Sequence, residues 1–444
     1  MSVKQAINSA LEAWNQSIDH APQLLVGLSG GLDSTLLLSL LAEKVNPKCI
    51  TAVHINYGLS ENADVWQAHV AQYCQQLGVT LKAEKVTLAQ SGEGLEAEAR
   101  NARYAVFERL LAPNGLLFLA HHADDQVETV FYRLMRGAGA KGLSGMPAKR
   151  ALGKGHLIRP FLDYTKSDLQ NEAQLRNLGW VEDESNLDNR YDRNYLRNSV
   201  IPQIAERWPD YSKSVTRTAE LSSESEQLSK DLAVIDISAL DLKMEHAGWS
   251  LSIEALLMLS LVRQKNVLRY WSELKGLMAP SGTMIDEILT SVVSARQDAS
   301  PEVVWQSQCW SRFKDRLYLL KRTTEKFNSQ QIFSWDMQKQ LDLDDNNHLL
   351  VVREMGQGIK PSVKQLEIRF RQGGERCKPA GRGHSNSLKK LLLEYELVPW
   401  LRERVPLFYV DEHLIAVGNL WVCEDWLAGS KEIGQMIHWQ VDSV

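Results

Sequence analysis

LSGGLDST, residues 28 to 35, follows the apolar run LLVG and runs into the leucine-rich LLLSLL. Glycines at 30 and 31 allow backbone conformations closed to other residues and leave room for a ligand to come close. Successive amides in such a turn can converge on an anion, and the next helix adds the unpaired N–H groups and positive dipole end of its first turn. Ser29, Ser34 and Thr35 offer hydroxyls to the same oxygens. Asp33 has no place in a site for an anion alone; a magnesium ion or a cationic substrate would explain it. The stretch therefore reads as a cradle for the phosphates of a nucleotide at the exit of a buried strand.

Around it, residues 21 to 180 alternate short apolar runs with helical patterns. The candidate strands are QLLVGLS (23–29), ITAVHIN (50–56), TLKAEKV (80–86), GLLFLAH (115–121) and HLIRPF (156–161). Between them lie STLLLSLLAEK, DVWQAHVAQYCQQLG and EGLEAEARNARYAVFERLL. The last sets Leu95, Ala99, Ala102, Val106 and Leu110 on one face. Such alternation predicts an α/β fold with a parallel sheet, whose ligands bind at the carboxyl ends of the strands. Residues 186 to 233 read as helical, with an interruption at Pro202. Residues 234 to 322 read as a mainly helical, Trp-rich domain, and 323–347 as a polar connection. Residues 348 to 444 read as a smaller α+β domain, with a hairpin of LFYV and HLIAV about Asp411 and Glu412. The expected domains are thus 1–233, 234–347 and 348–444.

Composition narrows the function classes. The chain has 444 residues, a net charge of −5 and 44% hydrophobic residues, the profile of a folded soluble protein without a generally basic surface. The first residues, MSVKQAINSALEAWNQ, are amphipathic and do not read as a signal peptide. The most apolar stretch, LSIEALLMLSLV, is too short to span a bilayer, so a cytoplasmic location and no membrane partner are expected. Cys49, Cys74, Cys309, Cys377 and Cys423 are widely spaced and form no CxxC pair, which argues against a disulfide framework, a structural zinc or an iron–sulfur cluster. No particular metal ligands are assigned.

A second constellation is HHADDQVETV, residues 121 to 130, at the end of the fourth strand. With a helix beginning near Ala123, Asp125 and Glu128 share a face, as do Asp124 and Glu128. Acids are common in a first helical turn. Three acids and two histidines beside a phosphate cradle ask for a cation as well. Arginines form further groups: Arg100 and Arg103 share a face beside Tyr104, and Arg190, Arg193 and Arg197 recur along DNRYDRNYLRN with Asn194 adjacent. GAGAKG, with Gly137, Gly139 and Gly142, satisfies a dinucleotide-binding pattern but follows a helix, so it reads as a mobile loop near the site. Finally, RFRQGGERCKPAGRGHSNSLKK (369–390) holds seven Lys or Arg against Glu375, a local footprint for nucleic acid. The following LKKLLLEYELVPWLRERVPLFY reads as an amphipathic helix, a turn and a strand.

SGGLDS resembles the PP-loop signature of ATP pyrophosphatases, enzymes that cleave ATP between its α and β phosphates. That resemblance implies ATP binding by Ser29, Gly30, Gly31, Leu32, Asp33 and Ser34. The order of the larger motifs is similar to the tRNA(Ile)-lysidine synthetase family: HINYGLSENAD, GLEAEARNARY, HHADDQVET, LIRPFL, EDESNLDNRYDRNYLRNSVIP and FRQGGERCKPAGRG…LKKLLLEYELVPWLRERVPL. The resemblance spans nearly the whole chain and is weakest between about 234 and 347. It implies that ATP adenylates the wobble cytidine of a CAU-anticodon tRNA(Ile), after which the ε-amine of L-lysine displaces AMP to give lysidine. Asp33, Asp125, Glu128, Arg193 and Arg197 are then the expected catalytic residues, with Asp125 and Glu128 binding lysine. Arg100, Arg103 and Asn194 are expected to contact tRNA, as are Arg371, Arg376, Lys378, Arg382, Lys389 and Lys390 of the basic stretch. ATP as co-substrate and Mg2+ are the expected cofactors, and a homodimer is left open.

Four rival readings can be weighed against this one. A tRNA thiolase needs reactive cysteine pairs, a glutamine-fed synthetase needs an amidotransferase domain for which the residues before the first strand leave no room, and an NAD synthetase gives no reason for the basic stretch. A non-catalytic, ATP-gated RNA-binding protein would share the loop without turnover.

Overall fold

The computed structural model describes residues 3–15, 23–88, 94–296, 299–322, 327–344 and 347–441. Helix α1 (Val3–Asn15) precedes β1 (Leu24–Gly27), and the chain then alternates through α2 (Leu32–Lys44), β2 (Ile50–Asn56), α3 (Ala63–Leu77), β3 (Thr80–Lys85), α4 (Leu95–Leu110), β4 (Leu116–Phe118) and α5 (Ala123–Met135). A single turn, α6 (Ala140–Leu143), leads to β5 (Lys149–Leu152), β6 (Gly155–Ile158) and α7 (Lys166–Leu175). The sheet order is β3-β2-β1-β4-β6-β5, with β1 parallel to both β2 and β4. The winding therefore reverses between β1 and β4, and the crevice at their carboxyl ends is the switch point where such sheets bind ligands. Both sequence constellations leave the sheet there.

All five expected strands form. A further strand, β5, is not announced by its residues: it pairs antiparallel with β6 at the sheet edge and leaves Lys149 exposed, and an edge strand needs no apolar run. Helix α2 is buried along most of its length, so its leucines crowd every side of it. The face expected on α4 is core only toward its end, where Val106 and Phe107 are buried, while Leu95 is exposed. Gly27 is required by packing, since a Cβ there would lie 2.5 Å from Leu119 Cδ2. The segment expected to be a mobile loop, GAGAKG, holds α6 and is fastened by Arg133, whose Nη1 donates to the carbonyls of Gly142 (2.9 Å) and Gly145 (2.7 Å).

Pro202 does not interrupt the helix. The chain runs from α8 (Asp192–Tyr195) through a π-helical turn (Leu196–Val200) into α9 (Ile201–Arg207), and the wider turn directly ahead of Pro202 accommodates its missing N–H. The break comes later, before α10 (Tyr211–Ala239).

The chain divides into two compact units, residues 1–227 and 228–444. In the second, β7 (Lys243–Glu245) and β8 (Gly248–Ser252) precede α11 (Ile253–Leu257), α12 (Leu261–Leu274) and α13 (Gly282–Glu287), and β9 (Glu302–Trp305), β10 (Gln308–Phe313) and β11 (Arg316–Lys321) follow. The region expected to be mainly helical thus carries a five-stranded antiparallel sheet, β7-β8-β11-β10-β9, packed on those helices. Its β10–β11 hairpin turns at Lys314 (φ 53°) without the Asn-Gly or Asp-Gly pair that marks such turns in sequence. The expected connection also holds β12 (Phe333–Trp335) and β13 (Leu341–Asp344), whose Trp335 and Leu343 are buried in the core; residues 323–326 and 345–346 of that stretch lie outside the described residues.

Beyond it come β14 (Asn347–Met355), β15 (Leu366–Arg369), β16 (Arg376–Cys377), β17 (Asn386–Ser387), α14 (Leu388–Glu394), β18 (Leu407–Val410), β19 (His413–Val417), β20 (Trp421–Val422) and β21 (Ile433–Val441). LFYV and HLIAV form the expected hairpin, turning at Asp411 with φ 53°. Among the described residues no helix is long and apolar enough to cross a membrane.

Candidate active site

The loop after β1 is held in shape by its own hydroxyls. Ser29 N–H and the Ser29 hydroxyl both meet Ser34 Oγ, at 3.2 and 3.0 Å, and Ser29 Oγ accepts from Gly31 N–H at 3.3 Å. Thr35 Oγ1 and the Val181 amide donate to the Gly30 carbonyl, at 3.3 and 3.0 Å. Gly30 sits at φ 94°, and a Cβ there would lie 3.0 Å from Val70 and Val181, so both conformation and space require glycine. Gly31 is different. Its φ of −72° is open to any residue and a Cβ would meet no close contact, so its value is the open surface it leaves. No side chain caps α2, and the first-turn amides face the same end. The preformed loop is built to receive an anion without reorganising.

The second wall comes from the end of β4. His122 N–H donates to Asp125 Oδ2 at 3.0 Å, which starts α5, and Asp124 Oδ2 accepts from Lys166 N–H at 2.8 Å. The His122 ring is buried among three carboxylates: Nδ1 lies 3.4 Å from Asp124, and Nε2 lies 3.5 Å from Asp125 and 3.7 Å from Asp33. Burial opposes its charge, but the three acids together outweigh that and lift the imidazole above its ordinary value. Burial raises the Asp33 carboxyl, with Asp125 adding repulsion and His122 and Lys166 opposing. For Asp124 burial is overcome by His122 and the Lys166 amide, and its carboxyl is lowered. Asp33 Oδ1 is buried without a hydrogen-bond partner among the described residues. The set offers negative charge and an open acceptor to a cation.

This arrangement trades stability for charge. A carboxyl raised in the folded state contributes stability that is complete below its unfolded pKa and is lost as pH rises through the folded value. Asp33→Asn removes that loss. Its melting temperature should exceed that of the parent by about 2–4 °C at pH 8, corresponding to on the order of 1 kcal/mol. The gain should shrink as the buffer is taken below pH 5. A gain independent of pH would show that burial of the ionised carboxylate is not the cause.

Glu128 and Arg197 form a fork. Arg197 Nε and Nη2 donate to the two Glu128 oxygens at 2.6 and 2.8 Å, and Nη2 lies 3.7 Å from Asp125. Burial raises Glu128 and the guanidinium draws it back. Glu128 is therefore not an open carboxylate, as expected for a lysine ligand, because both its oxygens serve Arg197. Arg193 reaches Glu96 at 3.3 Å, and Asn194 Nδ2 donates to the Asp188 carbonyl at 3.0 Å. Arg100 and Arg103 flank the Tyr104 ring, at 5.2 and 6.0 Å from its centroid, and Arg150 stands at 5.0 Å.

Several residues of this site carry no role in the sequence pattern. His122 stands there as one of a pair, yet it joins the two constellations. Arg159 is buried, donating from Nε to His121 Nδ1 (3.2 Å) and from Nη1 to the Pro147 carbonyl (2.7 Å). Burial holds His121 down to about 3, with Arg159, Arg103 and Arg100 adding to the effect and Asp125 opposing it. The available signal was an arginine inside the apolar run LIRPF.

In the second unit the basic stretch is partly neutralised. Lys378 pairs with Glu424, Arg382 with Glu394, and Lys390 approaches Glu394 at 3.8 Å. Arg376 donates to the Ser385 carbonyl, and among the described residues Arg371, Arg376 and Lys389 make no ion pair. These three are the cations left for a partner.

Three family models match the chain: the PP-loop domain over residues 2–204, the TilS substrate binding domain over 251–318 and the TilS substrate C-terminal domain over 366–439. A tRNA(Ile)-lysidine synthase of Coxiella burnetii is 40% identical over 423 residues, covering 94% of this chain and 92% of that protein. One from Legionella pneumophila is 39% identical over 409 residues, with 91% and 92% covered. One from Yersinia pestis is 36% identical over 436 residues, with 94% and 93% covered.

Proposed function

The chain belongs to the tRNA(Ile)-lysidine synthase family, an ATP-dependent ligase family that forms lysidine on tRNA(Ile), and from that premise we propose which of its residues do the work. The Ser29–Ser34 loop holds the ATP phosphates. The wobble cytidine of a CAU anticodon is adenylated with loss of pyrophosphate, and free L-lysine then displaces AMP. One observation carries this assignment: Asp33 of the phosphate loop and Asp124 and Asp125 of α5 converge on a single imidazole. That brings a cation site to the edge of an anion cradle. A lysine ε-ammonium has a pKa near ~10.4 and attacks only once deprotonated. Asp33 and Asp125 draw it in, and Asp33, ionising later than an ordinary aspartate, is the better base. Glu128 holds Arg197 in place, so that Arg197 and Arg193 face the charge of the adenylate.

Magnesium fits as a companion of ATP rather than as a resident ion. Among the described residues no group of three or more His, Cys, Asp or Glu is arranged as a cage, and Asp33 Oδ1 is the unpartnered oxygen. Asp33 and phosphate oxygens would hold the ion, which would offset phosphate charge. A cytoplasmic location belongs to the same reading. A homodimer would draw on Leu228, Leu232 and Ile235, exposed on one face of α10. Arg371, Arg376 and Lys389, with Lys378, Arg382 and Lys390 around them, are proposed to grip the tRNA backbone away from the anticodon.

Incubation with ATP, L-lysine and unmodified CAU-anticodon tRNA should release pyrophosphate and AMP in step with lysine incorporation. Absence of pyrophosphate above background would leave a non-catalytic RNA-binding protein. Equal use of other amino acids would reject lysine as the substrate.

A further inference from the structure

The two adjacent histidines at the end of β4 stand in opposite states. His122 lies among three carboxylates, which draw it toward its charged form. His121 is held neutral: burial opposes its charge and Arg159, Arg103 and Arg100 repel it, with Asp125 pulling the other way. The neutral ring is confined to one tautomer. Arg159 Nε lies 3.2 Å from His121 Nδ1, and a guanidinium can only donate, so Nδ1 keeps its lone pair and Nε2 carries the hydrogen. Among the described residues no acceptor takes that hydrogen, and the half-buried ring leaves it open to a ligand.

Arg159 is placed for direction rather than for stability. Its side chain is buried, and burial with repulsion from Arg150 and Arg100 disfavours its charge. Its other partners are the Pro147 carbonyl at 2.7 Å and the Tyr104 hydroxyl at 3.4 Å; among the described residues it has no carboxylate. Burying a cation without a counter-ion costs stability. In return, bonds from three of its nitrogens fix the guanidinium plane, and that plane fixes the imidazole.

An uncharged donor has a narrow use here. Arg100, Arg103 and Arg197 are cations, and guanidiniums attract phosphate before anything else. A neutral N–H instead distinguishes an acceptor from a donor on the edge of an unstacked base. Cytosine N3 is an acceptor, whereas uracil N3 carries a hydrogen, and N3 is bonded to C2, where lysine is attached. We propose that Arg159 fixes His121 as the hydrogen-bond donor to N3 of the target cytosine, so that the pair selects cytidine over uridine at the modified position. His121 is then a specificity-determining residue and Arg159 the positioning residue behind it. The inference rests on the reading of the acid cluster as the place where the cytidine is modified.

The test is equilibrium binding at pH 8 of the full chain to two anticodon stem–loop RNAs that differ only in cytidine or uridine at the modified position. The parent should hold the cytidine form about 10-fold more tightly, because uridine sets a donor against a donor. His121→Phe should bring the two affinities together. His121→Gln should keep the preference, since its amide oxygen can accept from Arg159 while its N–H serves the base. Arg159→Met supplies a sign that lost packing would not: the released imidazole can take the other tautomer and accept from uridine N3–H, so uridine binding should tighten about 5-fold. A parent without preference would overturn the proposal, as would an Arg159→Met protein that binds both RNAs equally weakened. Loss of the preference in His121→Gln as complete as in His121→Phe would overturn it too, and these two variants decide the matter if Arg159→Met does not fold. Binding needs no turnover, so a parent that prefers cytidine but releases no pyrophosphate would sink the enzymatic reading alone.

Discussion

Asp125→Asn should slow lysine incorporation by roughly 10²-fold, the loss of a charged contact that draws in the ammonium, while a single-turnover burst of pyrophosphate from ATP and tRNA persists. The substitution is a clean one. An asparagine Oδ1 can still accept from His122 N–H, so the start of α5 keeps its hydrogen bond. What disappears is a negative charge beside the imidazole and beside Arg197. The first half-reaction needs phosphates held and pyrophosphate released, tasks proposed for the loop after β1 and its helix. The second needs an ammonium brought to the adenylate and stripped of a proton. A quench-flow measurement of pyrophosphate alongside labelled lysine separates the two. If the burst falls as far as lysine incorporation, Asp125 serves adenylation and the division of labour drawn here is wrong.

The parts of this site that could be read beforehand are those whose chemistry is spelled by neighbouring residues. SGGLDS encodes its own turn: Gly30 supplies the positive φ, Ser29 and Ser34 supply the bonds that close it, and the leucines that follow bury the helix behind. HHADD likewise announces a helix start with its acids in the first turn. The joint between them was hidden, because His122 and Asp33 are brought together by the pairing of β1 with β4. The Glu128–Arg197 fork spans 69 positions, and spacing alone offered Glu128 to the substrate. The first sheet of the second unit is hidden in the sequence for a related reason. QCWSRF and RLYLLK are buried on both faces of a sheet, so they lack the alternation that marks a half-exposed strand, and their turn carries no glycine.

That fork supports the other large effect. Arg197→Ala leaves the Glu128 carboxylate, whose side chain is 3% exposed, without its two donors. Breaking a buried pair from one side costs about 3–5 kcal/mol; Arg197 is itself partly open to water, so about 2–3 kcal/mol is expected here. The melting temperature should fall by roughly 5–10 °C at pH 8. The sign of the pH dependence follows from what remains. Burial already lifts Glu128, with Asp125 adding to it, and Arg197 pulls it back with a smaller contribution from His122, so in the variant the carboxyl rises further above its unfolded value. Its stability is then complete below the unfolded pKa and is lost as pH climbs through the raised folded one. The deficit should be small near pH 4 and full at pH 8. Adding Glu128→Gln removes the stranded charge and should restore most of the melting temperature at pH 8. Lysidine formation should stay lost, because the guanidinium proposed to face the adenylate is gone. A double variant no more stable than Arg197→Ala, or a deficit flat across pH, would mean that the fork holds nothing together; recovered activity in the double variant would mean that Arg197 serves the fold and not the reaction.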